Sequence, residues 1–150
     1  MSDEPLSLAL KALDRKERTV AEMGSWLRAR GVDEADSAEV IDHLVSVGVL
    51  DDVKYARQYV EDKRSLKRWG NARIRTALID RGISADDVAG ALGGGQEDEI
   101  VRAVELLAER GPTLSDALER QKALGVLARR GYDAEVAYEA IRRVRHGDRG

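Results

Sequence analysis

The sequence predicts an all-α protein of three tandem three-helix repeats in an elongated, curved array, and three observations lead there. The first is a phrase that recurs as Arg30-Gly31-Val32, Arg81-Gly82-Ile83 and Arg130-Gly131-Tyr132, its glycines 51 and 49 residues apart. The second is that each copy reads as a complete helix ending. With the glycine at C′, position C3 falls on Leu27, Leu78 and Leu127 and C″ on Val32, Ile83 and Tyr132, the apolar pair of a Schellman cap. The third is the absence of any sustained period-two alternation, together with only two prolines, Pro5 and Pro112, neither inside a periodic segment.

The elements follow in order. Leu6, Leu10 and Leu13 form one stripe of a first helix over 6–16. Thr19 with Glu22 is a capping box opening a second helix, whose Val20, Met23 and Leu27 point inward and which ends at Gly31. Asp33 and Glu34 suit the start of a third, with Val40, Ile41, Leu44 and Val45 inside and a further cap at Gly48. Asp51 and Asp52 begin the next helix, one carboxylate capping and the other complementing the dipole; its stripe is Val53, Ala56 and Val60. A break at Trp69-Gly70-Asn71 precedes a helix with Ile74 and Leu78, and a shorter helix runs from Ser84 to Leu92. Gly93-Gly94-Gly95 reads as a linker. A helix from Glu97 carries Ile100, Val101, Val104 and Leu107 and stops at Gly111-Pro112, where proline at C″ cannot donate the outer bond, so this glycine is not a further copy of the phrase. Thr113 with Asp116 is expected to cap the next helix, which runs to Arg130, and a last helix covers 134–145. The repeats are thus 1–50, 51–95 and 96–150, each with a thin core and expected to be marginal alone.

Composition narrows the function. The chain of 150 residues has no cysteine, no phenylalanine and a net charge of −3. With no apolar run of membrane length and no basic-then-apolar leader, a cytoplasmic location and no membrane association are expected. The middle repeat is the basic one, with 9 basic and 7 acidic residues over 51–95 against 6 and 10 over 1–50. No enzyme constellation is present. The glycine run lacks the lysine and hydroxyl residue of a phosphate loop, and His43 and His146 lack metal-ligand spacing. Neither an enzyme activity nor a cofactor is expected.

The candidate site lies where the stripe Val53, Ala56, Val60 continues to Lys63 and Lys67, so the helix outruns its own core. Lys63, Arg64, Lys67 and Arg68 form a cationic tip, joined in sequence by Trp69, Arg73 and Arg75. Such a tip suits phosphate or an acidic protein groove, and also suits a solvated helix end. Trp69, at a helix break among cations, is a candidate stacking residue. Tyr55, Tyr59, Trp26 and Tyr132 read as packing. A second basic group, Arg129, Arg130, Arg142, Arg143 and Arg145, ends the third repeat; Arg129, Arg130, Arg142 and Arg143 are further candidates for binding a partner or nucleic acid, while the acids interleaved nearby also suit solvated surface. Gly31, Gly48, Gly82, Gly131, Asp51 and Asp52 read as structural caps.

At these residues the chain resembles the RecX family, regulators of the RecA recombinase. The resemblance spans nearly the whole length: Arg15 to Glu22, Gly48-Val49-Leu50-Asp51-Asp52 followed by Tyr55-Ala56, Gly70 with Arg73, Ile74, Leu78 and Arg81-Gly82-Ile83, and Leu127 to Tyr132. Tyr55 and Tyr132 stand where the family commonly has phenylalanine. The resemblance implies tandem three-helix units lying in the groove of a RecA filament on single-stranded DNA and inhibiting its ATPase, strand exchange and extension. A monomer is expected, with at most weak direct contact to DNA. Two other classes suit the helices: a helix-turn-helix DNA binder, though the helices after the glycines begin acidic, and a general helical scaffold.

Overall fold

The computed structural model describes residues 3–111 and 114–147. The described residues are all-α, with α1 (Asp3–Arg15), α2 (Val20–Ala29), α3 (Glu34–Ser46), α4 (Asp52–Leu66), α5 (Asn71–Asp80), α6 (Ala85–Leu92), α7 (Gln96–Arg110), α8 (Ala117–Arg130) and α9 (Ala134–Arg145). No described helix is long and apolar enough to cross a membrane. Pro112 and Thr113, expected to block one cap and open another, lie outside the described residues. α8 opens at Asp116, whose carboxylate accepts from the Glu119 N–H at 2.8 Å.

The glycine phrase forms the cap its spacing predicts. The N–H groups of Val32, Ile83 and Tyr132 reach back to the carbonyls of Leu27, Leu78 and Leu127 at 3.1, 3.1 and 3.0 Å. The N–H groups of Gly31, Gly82 and Gly131 bond to Arg28, Ile79 and Ala128 at 3.0, 2.9 and 3.1 Å. All three glycines are left-handed, at φ 81, 84 and 98°. Gly48 ends α3 in the same way at φ 79°, but Val49 is exposed and the apolar partner of Leu44 is Leu50, 2% exposed. Gly111 makes the simpler cap, donating to Leu107 at 3.2 Å.

The chain divides into two compact units, one of residues 1–58 and 78–91, the other of residues 59–77 and 92–150. The first unit has its core in Ala9, Ala12, Met23, Leu27, Val40, Leu44 and Leu50. Three residues expected on apolar stripes are outside this core: Leu10 is 44%, Val45 is 47% and Val53 is 40% exposed. At the start of α4 it is Asp52, not Val53, that turns inward, accepting the Val20 N–H at 2.9 Å. So Asp51 caps α4, taking the Lys54 N–H at 3.0 Å, while Asp52 ties α4 to α2. Burial pushes the Asp52 carboxyl above its ordinary value, with Asp87, Asp51 and Glu22 adding to it and the Val20 N–H opposing.

Thr19 joins the start of α2 to the end of α5. It is fully buried; its Oγ1 accepts the Glu22 N–H at 3.1 Å and donates to the Arg81 carbonyl at 2.6 Å. The Glu22 carboxylate completes the capping box by taking the Thr19 N–H at 3.0 Å. The same approach brings Ala21 against Gly82, where an added Cβ would fall on the Ala21 methyl. Thr19→Ala is therefore expected to cost about 2 kcal/mol, losing a helix cap and the hydrogen bond to the part-buried Arg81 carbonyl. Urea unfolding checks this, with Thr19→Ser retaining most of the stability.

The second unit centres on Ile100, Ala103, Val104, Leu107, Leu127, Val136 and Ala140. Its start of α5 is laid on the α8–α9 corner: the Gly70 N–H donates to the Arg130 carbonyl at 2.6 Å and the Ala72 N–H to the Gly131 carbonyl at 3.1 Å. The backbones are so close that a Cβ on Gly70 would stand 2.5 Å from the Gly131 oxygen.

Candidate partner-binding site

The end of α4 closes differently from the glycine corners, around an unusual residue. The Trp69 N–H bonds to the Lys63 carbonyl at 3.1 Å, six residues back where the glycine corners reach five, and Arg68 just before it is left-handed at φ 56°. A non-glycine residue here costs about 1–2 kcal/mol of backbone strain. The contact across this turn is a cation–π contact, with Lys63 Nζ 4.7 Å from the Trp69 ring centre. Arg73, one turn into α5, sets its guanidinium carbon 4.1 Å from the same ring. Tyr59 meets Trp69 edge-on at 6.5 Å and lies 5.3 Å from Lys63 Nζ. Two cations thus converge on one half-buried indole, each such contact worth about 0.5–1 kcal/mol at an exposed site.

The structure assembles most of the expected site residues here and separates them by task. Lys67, Arg73, Arg75 and Arg129 are exposed. Arg73 Nη1 also donates to the Arg129 carbonyl at 2.9 Å, and the Arg130 guanidinium donates to the Lys67 carbonyl. Arg64 and Arg68, expected in a projecting tip, are not free-standing. Arg64 Nη2 donates to Asn71 Oδ1 at 2.9 Å and to the Leu92 carbonyl at 2.8 Å. Burial and then Arg102 hold its guanidinium below its ordinary value, Glu99 opposing. Arg68 pairs with Glu109, and with Glu105 at 4.0 Å. The helix does not outrun its core: the second unit packs around its last turns, which Val60, at 3% exposure, already enters.

Arg142 and Arg143 belong to a separate network on α9. Arg143 binds Glu97 through both Nη atoms at 2.7 and 2.8 Å, and Glu139 at 3.1 Å. Arg142 grips Glu139 at 2.8 and 2.5 Å. The bonds from Arg142, then Arg143, lower the Glu139 carboxyl to about 2. The two Glu139 pairs are i,i+3 and i,i+4 contacts along α9, while the Glu97 pair ties α9 to α7.

Two residues that sequence reasoning passed over support the site. Glu99, 5% exposed, accepts the Asn71 N–H at 3.0 Å and so caps α5 from α7. Its signal was a carboxylate on the buried stripe it shares with Ala103, Leu106 and Leu107. Tyr132, 4% exposed, donates its hydroxyl to the Arg68 carbonyl at 3.1 Å, holding the strained residue in place. Burial raises its phenol above the ordinary value. In the first unit the Tyr55 hydroxyl accepts from Arg81 Nε at 3.2 Å. Both tyrosines expected to differ from the family pattern therefore use the extra oxygen. Trp26 is also flanked by cations, with Arg30 at 4.2 Å and Arg18 at 5.5 Å from its ring centre. His43 and His146 are exposed. Among the described residues no group of three or more carboxylates and histidines could hold a metal ion.

Fold and caps together define a class: an all-α helical repeat in which a left-handed glycine corner joins the last two helices of each three-helix segment, with the start of another helix laid on the corners at Gly82 and Gly131. Residues 6–44 match the family description "RecX, first three-helix domain", and residues 51–92 match "RecX, second three-helix domain". The chain belongs to the RecX family of regulatory proteins. It is 32% identical over 145 residues to Regulatory protein RecX of Mycobacterium avium, covering 93% of this chain and 83% of that one. The Mycobacterium tuberculosis H37Rv protein of the same name is 30% identical over 149 residues, with 93% and 84% covered. The fold is shared with the crystal structure of RecX from Lactobacillus salivarius, at a TM-score of 0.82, 23% identity and 95% coverage of both chains.

Proposed function

We propose that this protein regulates the RecA recombinase as an inhibitor, acting in the cytoplasm along the groove of the RecA filament on single-stranded DNA. It limits ATP hydrolysis, strand exchange and filament extension without chemistry of its own. Its three repeats, over 1–50, 51–95 and 96–150, supply successive contacts, each modest, whose sum along a polymer is strong through effective concentration. One observation carries the reading: Lys63 and Arg73 converge on Trp69, with Lys67, Arg75 and Arg129 exposed in the same unit. A cationic surface with an aromatic face suits phosphates or the acidic surface of a protein polymer.

The test is DNA-dependent ATP hydrolysis by RecA. Wild-type protein is expected to suppress it at substoichiometric ratios. Lys67→Glu with Arg75→Glu, both at exposed positions, is expected to raise the concentration for half-inhibition about tenfold, a loss of about 1.4 kcal/mol. Circular dichroism should stay unchanged. Full inhibition by the double variant would remove the cluster from the interface, and absence of inhibition by wild type would end the RecA reading itself. Arg64 and Arg68 are left intact in this test because both hold the second unit together.

A further inference from the structure

The chain builds one joint twice and leaves its parts unused once. In the first unit, Thr19 caps α2 and donates to the carbonyl before Gly82, while Ala21 lies on the glycine itself. In the second, Gly70 precedes α5 and donates to the carbonyl before Gly131, while Arg73 lies on that glycine. Thr19 and Gly70 are 51 residues apart, the spacing of the glycine corners of the first and second repeats. So the structure itself shows what covers such a corner: the first turn of a helix, donating to the carbonyl before the glycine and pressing a side chain onto bare backbone.

Arg30-Gly31-Val32 is the same corner, at φ 81° against 84° for Gly82. Among the described residues nothing stands within 4 Å of the position a Gly31 Cβ would take. The matching uncovered first turn is that of α8. Asp116 holds the cap position of Thr19, and Leu118 holds the register of Ala21, 60% exposed. The two surfaces are complementary in charge. Arg28 and Arg30 flank the corner, and Asp116 and Glu119 open α8.

We propose that a second copy of this chain covers the Gly31 corner with the first turn of its α8, repeating between molecules the joint made twice within one. The backbone N–H of Asp116 donates to the Arg30 carbonyl, as Gly70 donates to Arg130, and Leu118 lies over Gly31. The contact is heterologous, so each copy keeps one free corner and one free helix start, and assembly is open-ended. It is small, so assembly in solution is weak and favoured at high local concentration.

Sedimentation equilibrium from about 10 μM to about 1 mM tests it, the range in which a weak contact is populated. Wild-type mass is expected to rise above 16.5 kDa with no plateau at a dimer. Gly31→Asn fills the corner with a residue that tolerates the left-handed backbone, and Leu118→Lys sets a cation against Arg28 and Arg30. Each variant alone is expected to stay monomeric, and an equimolar mixture to stop at a dimer, having one intact corner and one intact helix start. Gly48→Asn, at an equally open glycine with φ 79°, should assemble as wild type does. The proposal is overturned if wild type remains at monomer mass throughout, if Gly31→Asn assembles unchanged, or if Gly48→Asn disrupts assembly equally.

Discussion

Gly131→Ala is expected to lower stability by about 3 kcal/mol, against about 1 kcal/mol for Gly31→Ala, in urea unfolding under identical conditions. Both glycines are left-handed, and a Cβ in that conformation costs about 1–2 kcal/mol wherever it stands. At Gly31 that is the whole penalty. At Gly131 the new methyl would fall on the Cβ of Arg73 and 2.7 Å from its backbone nitrogen, which cannot yield without breaking the bonds that seat α5. Overpacking of this kind adds about 1–3 kcal/mol. Gly70→Ala should be comparably severe, since its Cβ would meet the carbonyl group of Gly131 and the nitrogen of Tyr132 at 2.5–2.7 Å. Gly82→Ala collides with one methyl, that of Ala21, so adding Ala21→Gly should recover part of the loss. Equal destabilisation at Gly31 and Gly131 would show that the corners are not joints.

Glu99→Ala is expected to cost about 3 kcal/mol, and Glu99→Gln about 1 kcal/mol, in the same measurement. The carboxylate is 5% exposed and takes the Asn71 N–H at 3.0 Å. It also offsets the positive charge of Arg64, which burial and Arg102 both oppose. Alanine leaves an uncapped helix start and an arginine without its counter-charge, the expensive way to break a buried polar group. Glutamine keeps the acceptor and loses only the charge. If Ala and Gln prove equally costly, the charge rather than the cap is what matters.

These two results separate what the repeat pattern encodes from what the repeats do to one another. Leu27, Leu78 and Leu127 with the glycines that follow them announced the helix ends and their hydrogen-bond pattern, because a Schellman cap is local and closes within six residues. The helix starts at Thr19, Asp33 and Asp51 were legible for the same reason. The cationic tip was misjudged because its reading stopped at its own helix. Arg64 and Arg68 look solvent-bound on a helical wheel, yet Leu92, Asn71, Glu105 and Glu109, 7 to 41 residues distant, take their donors. Val53 was misjudged likewise, displaced by the bond that Val20 makes to Asp52.

The sequence by itself determined the all-α class, the order and ends of the helices, the repeat and the family, since each rests on short-range periodicity and caps. It also determined which segment is rich in cations and carries Trp69. Only the tertiary structure decided which cations are left for a partner, because a guanidinium is drawn to whichever carbonyl or carboxylate the fold brings within about 3 Å. The same holds for the glycines. Left-handed backbone made Gly31, Gly82 and Gly131 look alike in sequence, but Gly82 and Gly131 also have a helix start pressed onto them, and that difference is written in contacts between residues about sixty apart.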